Sequence, residues 1–92
     1  MDFSSVSIYP RYDPWVTFDS RGNAYYSAGG WPYPPGPGPG QGQAFVVAKS
    51  TDGGCTWQSV AKVTGPVLVD KASLAADAHV TSPFRDNVYL TW

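Results

Sequence analysis

Glutamate is absent from this sequence, and cysteine and histidine occur once each, as Cys55 and His79. Without glutamate, any acid–base chemistry falls to the seven aspartates, to tyrosine or to His79. A single cysteine permits no intrachain disulfide and no zinc site built on cysteines. A Ser-His-Asp triad would rest on one histidine. Charge is scarce as well, at 14% of residues against roughly 25% in an average soluble domain. The six basic residues (Arg11, Arg21, Lys49, Lys62, Lys71, Arg85) form no run, and the net charge is −1. That argues against nucleic acid or an anionic membrane as partner. No apolar run approaches the ~20 residues of a membrane span. Met1-Asp2-Phe3-Ser4-Ser5 has neither a basic n-region nor an apolar h-region. The expectation is a protein that stays inside the cell, or one whose front is missing.

What the sequence has is aromatic and apolar surface. Hydrophobic residues make up 42% of the 92 residues and aromatics 15%, enough to build the core of one small domain or a piece of a larger one. Apolar residues three and four apart are nearly missing, so helix is not expected. Short strand-like runs recur instead, each bounded by turn residues. Val6–Tyr9 alternates. Four further runs at 15–18, 24–28, 45–49 and 57–63 read as strands of one antiparallel meander. Asn87–Trp92 is another strand. Leu74-Ala75-Ala76 favours helix by propensity and is read as strand only because of the repeat described next.

Two patterns organise these runs. Residues 31–43 alternate Pro and Gly with period two, unlike the collagen triplet, and form a loop by their lack of donors and their backbone entropy. The second pattern is an internal repeat. Asp13–Asp19 followed by Gly22–Ser27 matches Asp70–Asp77 followed by Asp86–Thr91: aspartate, a short strand, aspartate, a turn, asparagine, a small or branched residue, tyrosine. The first aspartates lie 57 residues apart, or 44 without the 13-residue loop. This matches the ~40–45-residue period of a four-stranded propeller blade. The paired aspartates recur as folding devices do, so Asp13, Asp19, Asp70 and Asp77 are expected to accept hydrogen bonds in turns, as is Asp86. His79 is expected in a solvated loop.

Ser50-Thr51-Asp52-Gly53-Gly54-Cys55-Thr56-Trp57 fits S-x-D-x-G-x-T-W at every fixed position. It resembles the Asp-box, or BNR repeat, of the sialidase-like (neuraminidase) β-propeller superfamily. The roles follow from chemistry. An ionised Asp52 only accepts hydrogen bonds and can gather turn donors. Gly53 or Gly54 supplies positive φ. The Ser50 and Thr56 hydroxyls close the remaining turn bonds, and Trp57 packs beneath the turn. Ser50, Asp52, Gly54, Thr56 and Trp57 are thus structural candidates, and Cys55 holds a variable position.

The resemblance implies an all-β chain of about one and a half to two antiparallel four-stranded blades. Residues 1–12 hold an outer strand of a preceding blade. Residues 13–69 form a complete blade with the Pro/Gly-rich loop 31–43 and the box at 50–57, and residues 70–92 the first half of the next. In a meander, successive turns alternate between two rims, so the box shares a rim with the 19–23 turn, and the Pro-Gly loop lies on the other. Sialidase-like propellers bind substrate on the face away from the boxes. This makes Trp31, Tyr33 and Trp15 candidate glycan-binding residues, with carbohydrate as one expected partner and missing blades or self-association as another. Sialidases of this superfamily use three arginines, an aspartate and a Tyr–Glu pair, none of which can be placed here. The expected function is therefore a structural propeller fragment with no catalytic residues, no metal and no cofactor. The alternatives are a glycan-binding module that assembles as an oligomer, and a piece of an exo-sialidase. The resemblance implies a secreted or cell-surface parent.

Overall fold

A computed structural model describes residues 8–32, 44–64 and 71–92. These residues are all-β and antiparallel. Strands β1 (Ile8–Phe18), β2 (Ala24–Pro32), β3 (Ala44–Ser50) and β4 (Gln58–Thr64) form one sheet in chain order, and β5 (Ser73–Ala76) pairs with β6 (Val88–Thr91) in a second. The four-stranded meander and the extended Leu74–Ala76 segment are as expected. Residues 1–7, the loop from Tyr33 to Gln43 and Asp70 lie outside the described residues.

The first two strands are longer than their sequence suggested. Residues 8–12, expected as an outer strand of a preceding unit, are instead the first part of β1. Pro10 and Pro14 are accommodated because, among the described residues, β1 is an edge strand paired with β2 alone, and its register shifts between Pro10 and Tyr12 and again between Tyr12 and Trp15. β2 likewise runs on through Gly29 and Gly30. Tyr12 sits opposite Gly29. A Cβ built on Gly29 would lie 2.2 Å from the Tyr12 ring, so the aromatic ring occupies the space a side chain would need. Gly29→Ala is expected to cost about 1–3 kcal/mol by overpacking, and clearly less in a Tyr12→Ala background. Urea melts of the four proteins measure this, and an equal cost in both backgrounds would show that the ring is not the obstacle.

β3 is central and buried on both faces, which explains its unbroken apolar run. Phe45 and Val47 point toward the second sheet, where Ala72, Leu74, Val88 and Leu90 meet them together with Tyr25. Ala44, Val46 and Ala48 point the other way, against Tyr26 and Trp57.

β5–β6 repeats β1–β2 pair by pair. Trp15↔Ser27, Val16↔Tyr26, Thr17↔Tyr25 and Phe18↔Ala24 correspond to Ser73↔Thr91, Leu74↔Leu90, Ala75↔Tyr89 and Ala76↔Val88. The turn bonds recur too. The Asp19 amide donates to the Asn23 carbonyl at 3.1 Å, and the Asp77 amide to the Asn87 carbonyl at 2.9 Å. Positive φ falls at Asp13 (49°) and Lys71 (55°), and at Gly22 (81°) and Asp86 (69°). The counterpart of Asp13 is therefore Lys71, not Asp70 as the sequence alignment had it. Lys71 stands six residues before Asp77, as Asp13 stands six before Asp19. At these two pairs of positions backbone conformation, not side-chain type, is what repeats.

Candidate functional site

Two places bring polar or aromatic side chains together: the end of the sheets that carries the turns, and a groove beside β1.

At the turn end, Ser50, Asp52, Gly54, Thr56 and Trp57 converge in the β3–β4 connection. The buried Ser50 hydroxyl accepts from the Gly54 amide at 2.9 Å and donates to Asp52 Oδ1 at 2.9 Å. Asp52 Oδ1 also accepts from the Thr56 amide at 2.8 Å, and Oδ2 from the Thr56 hydroxyl. Gly53 and Gly54 both take positive φ, 74° and 93°, so the turn uses two glycines where one was expected. The Trp57 indole is half-buried. It donates Nε1–H to the Gly54 carbonyl at 3.0 Å and meets the Tyr26 ring edge-on, with centroids 6.3 Å apart. Asp52 is exposed, and its partners in the turn are largely hydroxyls.

Those bonds act on charge. The Thr56 hydroxyl, the Thr56 amide and the Ser50 hydroxyl hold the Asp52 carboxyl down at about 2, from the ordinary 3.8. Hydrogen bonds likewise lower Asp77, chiefly from the Ser82 hydroxyl and the His79 amide, and Asp86, from the Ser20 hydroxyl and amide. A depressed carboxyl stabilises the fold fully above its unfolded pKa and loses that contribution as pH falls through its folded one. Melting temperature is thus expected to fall from about pH 4 to about pH 2. The fall should be shallower in a Ser50→Ala/Thr56→Val variant, which lacks the hydroxyls on Asp52. Thermal melts across that range check this, and identical profiles would remove Asp52 as a cause.

The neighbouring turns supply two further devices. Asp19, 7% exposed, accepts from the Arg21 and Asn23 amides, both at 2.9 Å, from Asn23 Nδ2 at 2.8 Å and from the Tyr25 hydroxyl at 3.2 Å. Burial pushes its carboxyl up, but the hydrogen bonds, led by the Asn23 side chain, outweigh it and leave it lowered. Asp77 repeats the device through the His79 amide at 3.1 Å and the Ser82 hydroxyl. Asp86 does something the sequence did not suggest. Rather than closing its own turn, its carboxylate reaches across to the Ser20 amide at 2.8 Å and hydroxyl at 2.9 Å, with Arg21 Nε 3.6 Å away. Arg85 Nε donates to the same Ser20 hydroxyl at 2.9 Å. The clamp ties the second sheet to the first. Only a pairing of residues 20 and 86 across the fold could have announced it. His79 and Cys55 are exposed.

The groove beside β1 measures about 330 Å³ and is lined by Asp13, Pro14, Trp15, Lys71, Ala72 and Ser73. Trp15 is 48% exposed there. The repeat builds the groove: the two positive-φ residues, Asp13 and Lys71, stand at the starts of the equivalent strand segments. Of the three aromatic residues expected to act together, Trp15 lines this groove. Trp31 pairs with Tyr9 four residues further along β2 than Ser27, the partner of Trp15. At about 3.3 Å per residue this separates the two backbones by roughly 13 Å. Tyr33 lies outside the described residues. Among the described residues no cluster of three or more His, Cys or Asp side chains is placed to hold a metal ion.

No family model matches the chain, and no curated protein or solved structure matches it either.

Proposed function

We propose that the chain is a structural segment of a sialidase-like BNR-repeat β-propeller. In this reading residues 13–69 make one four-stranded blade, and residues 70–92 begin the next. One observation carries it: the S-x-D-x-G-x-T-W turn closes the β3–β4 hairpin with its own hydroxyls and carboxylate, in a meander whose first two strands recur pair by pair in β5–β6. The Ser50, Asp52, Thr56 and Trp57 side chains are all engaged in holding the turn, which suits a scaffold.

A second reading, carbohydrate binding, is favoured by the groove at Trp15. A half-exposed indole offers a flat apolar face for a sugar ring, and the groove also has Asp13, Lys71 and Ser73 along its walls. Titration with sialic acid and neutral monosaccharides, followed by tryptophan fluorescence, separates the two. The scaffold reading expects no saturable change with any sugar, and an Asp52→Ala variant with a lowered melting temperature. The carbohydrate reading expects saturable quenching that Trp15→Ala abolishes at unchanged melting temperature. Turnover of a fluorogenic sialoside above a no-protein control would overturn both in favour of an enzyme.

A further inference from the structure

The turns between β1 and β2 and between β5 and β6 are built alike, so what they do not share is informative. In both, an aspartate amide donates to the carbonyl of an asparagine, and the residue just before that asparagine takes positive φ. That residue is Gly22 in the first turn and Asp86 in the second. The residue just after the aspartate is Ser20 in the first turn and Ala78 in the second. The bond between the Asp86 carboxylate and the Ser20 hydroxyl therefore joins a side chain that only the second turn has to a hydroxyl that only the first turn has. It is no part of the frame that holds each turn. It joins one turn to the other. What it joins is a four-stranded sheet to a pair of four-residue strands, β5 and β6. A two-stranded sheet of that size is marginal at best by itself in water, so its order depends on docking.

We propose that the Ser20–Asp86 clamp is an acid-released latch. With Asp86 ionised it holds β5–β6 docked on the first sheet. On protonation it lets β5–β6 open as a unit while the first sheet stays folded. An ionised carboxylate accepts from both the Ser20 amide and the Ser20 hydroxyl, whereas a protonated one carries a donor of its own and no longer attracts a guanidinium. The charged groups around it are Arg21 from the first turn and Arg85 from its own loop, with Asp19 and Asp77 near enough to repel it. The Ser20 hydroxyl and amide outweigh that repulsion and hold the carboxyl below its ordinary 3.8. The latch is thus closed above the ordinary carboxylate range and is lost as pH falls below it. Opening takes Leu74, Val88 and Leu90 away from Tyr25 and Val47, and so bares an apolar face of the first sheet. The inference rests on the two turns alone and holds whether or not the chain belongs to a propeller.

Hydrogen exchange of the full 92-residue chain, read strand by strand, tests this. Asp86→Asn removes the charge and keeps the backbone, since asparagine takes positive φ readily. At neutral pH it is expected to lower the protection of the β5–β6 amides at least about tenfold, with the β2–β3 amides within about twofold of wild type. Acidifying the wild type from about pH 5 to about pH 3 should produce the same selective loss, after correction for intrinsic exchange, and should add little to it in Asp86→Asn. Ser20→Ala, which removes one of the two donors and leaves the charge, should show the selective loss in part. Asp77→Asn should keep the acid response, because the Asp77 carboxylate accepts from His79 and Ser82 of its own loop. If Asp86→Asn unfolds outright, Ser20→Ala decides by the same comparison of the two sheets. An equal loss in both sheets of a folded variant, or unchanged β5–β6 protection in Asp86→Asn, would each overturn the proposal. So would an acid response that survives in Asp86→Asn and vanishes in Asp77→Asn, which would place the latch at Asp77.

Discussion

Replacing Phe45 by alanine is expected to remove about 3–5 kcal/mol of stability. Its side chain is 0% exposed and stands where the two sheets meet. Tyr12 approaches it edge-on with centroids 6.4 Å apart, Trp92 lies at 6.1 Å, and Ala72, Val63 and Leu90 pack around it. The cavity left by truncation lies between two sheets tied together at their turns, so collapse can fill little of it. Small domains hold about 5–15 kcal/mol in total, so a loss of this size leaves a chain that is largely unfolded or close to it. Denaturant unfolding followed by circular dichroism measures the loss. Val16→Ala is the matched control: Val16 is apolar but exposed on the edge strand, and should change stability by less than about 0.5 kcal/mol. Comparable losses from the two would mean that the second sheet does not pack on Phe45.

Asp19→Ala is expected to cost about 3 kcal/mol. The carboxylate is buried and gathers two backbone amides, the Asn23 side chain and the hydroxyl of the buried Tyr25. Removing it leaves the Tyr25 hydroxyl without this acceptor inside the fold, whereas the Arg21 amide can turn to water. Asp77→Ala, at the equivalent position of the second copy, should lower the melting temperature less, because His79 is exposed and its amide is readily resolvated. Charge adds a second signature. Because the Asp19 carboxyl is lowered in the fold, its contribution is present above the ordinary carboxylate range and fades as pH falls below it. The stability gap between wild type and Asp19→Ala should therefore narrow on acidification. Equal melting temperatures for the Asp19→Ala and Asp77→Ala proteins would show that burial is not what distinguishes the two copies.

The local chemistry was legible in the residues themselves. Strand runs bounded by Gly, Asn and Asp marked β2 to β6, and the spacing of Ser50, Asp52, Gly54, Thr56 and Trp57 announced a self-satisfied turn. Both signals are local: period-two alternation and i-to-i+4 hydrogen bonds are written within a few residues. Even the ambiguous Leu74–Ala76 was settled by its repeat rather than by its propensity.

Tertiary structure decided the rest. Pro10 and Pro14 end a strand in any central position, and only the placement of β1 at the sheet edge lets it run from Ile8 to Phe18. β2 runs on past residue 28 through Gly29, because the missing side chain there leaves room for the Tyr12 ring, which comes from another strand. Asp86 reads as an acceptor for its own turn, yet it accepts from Ser20, 66 residues away. Lys71 takes over the backbone role of Asp13 with an unrelated side chain, because a left-handed residue is selected by the path of the chain and not by charge. The sequence by itself determined the local strand runs and the closed turn. Which edge, which aromatic ring and which carboxylate complete them depends on residues far apart in the chain, and no local pattern encodes their meeting.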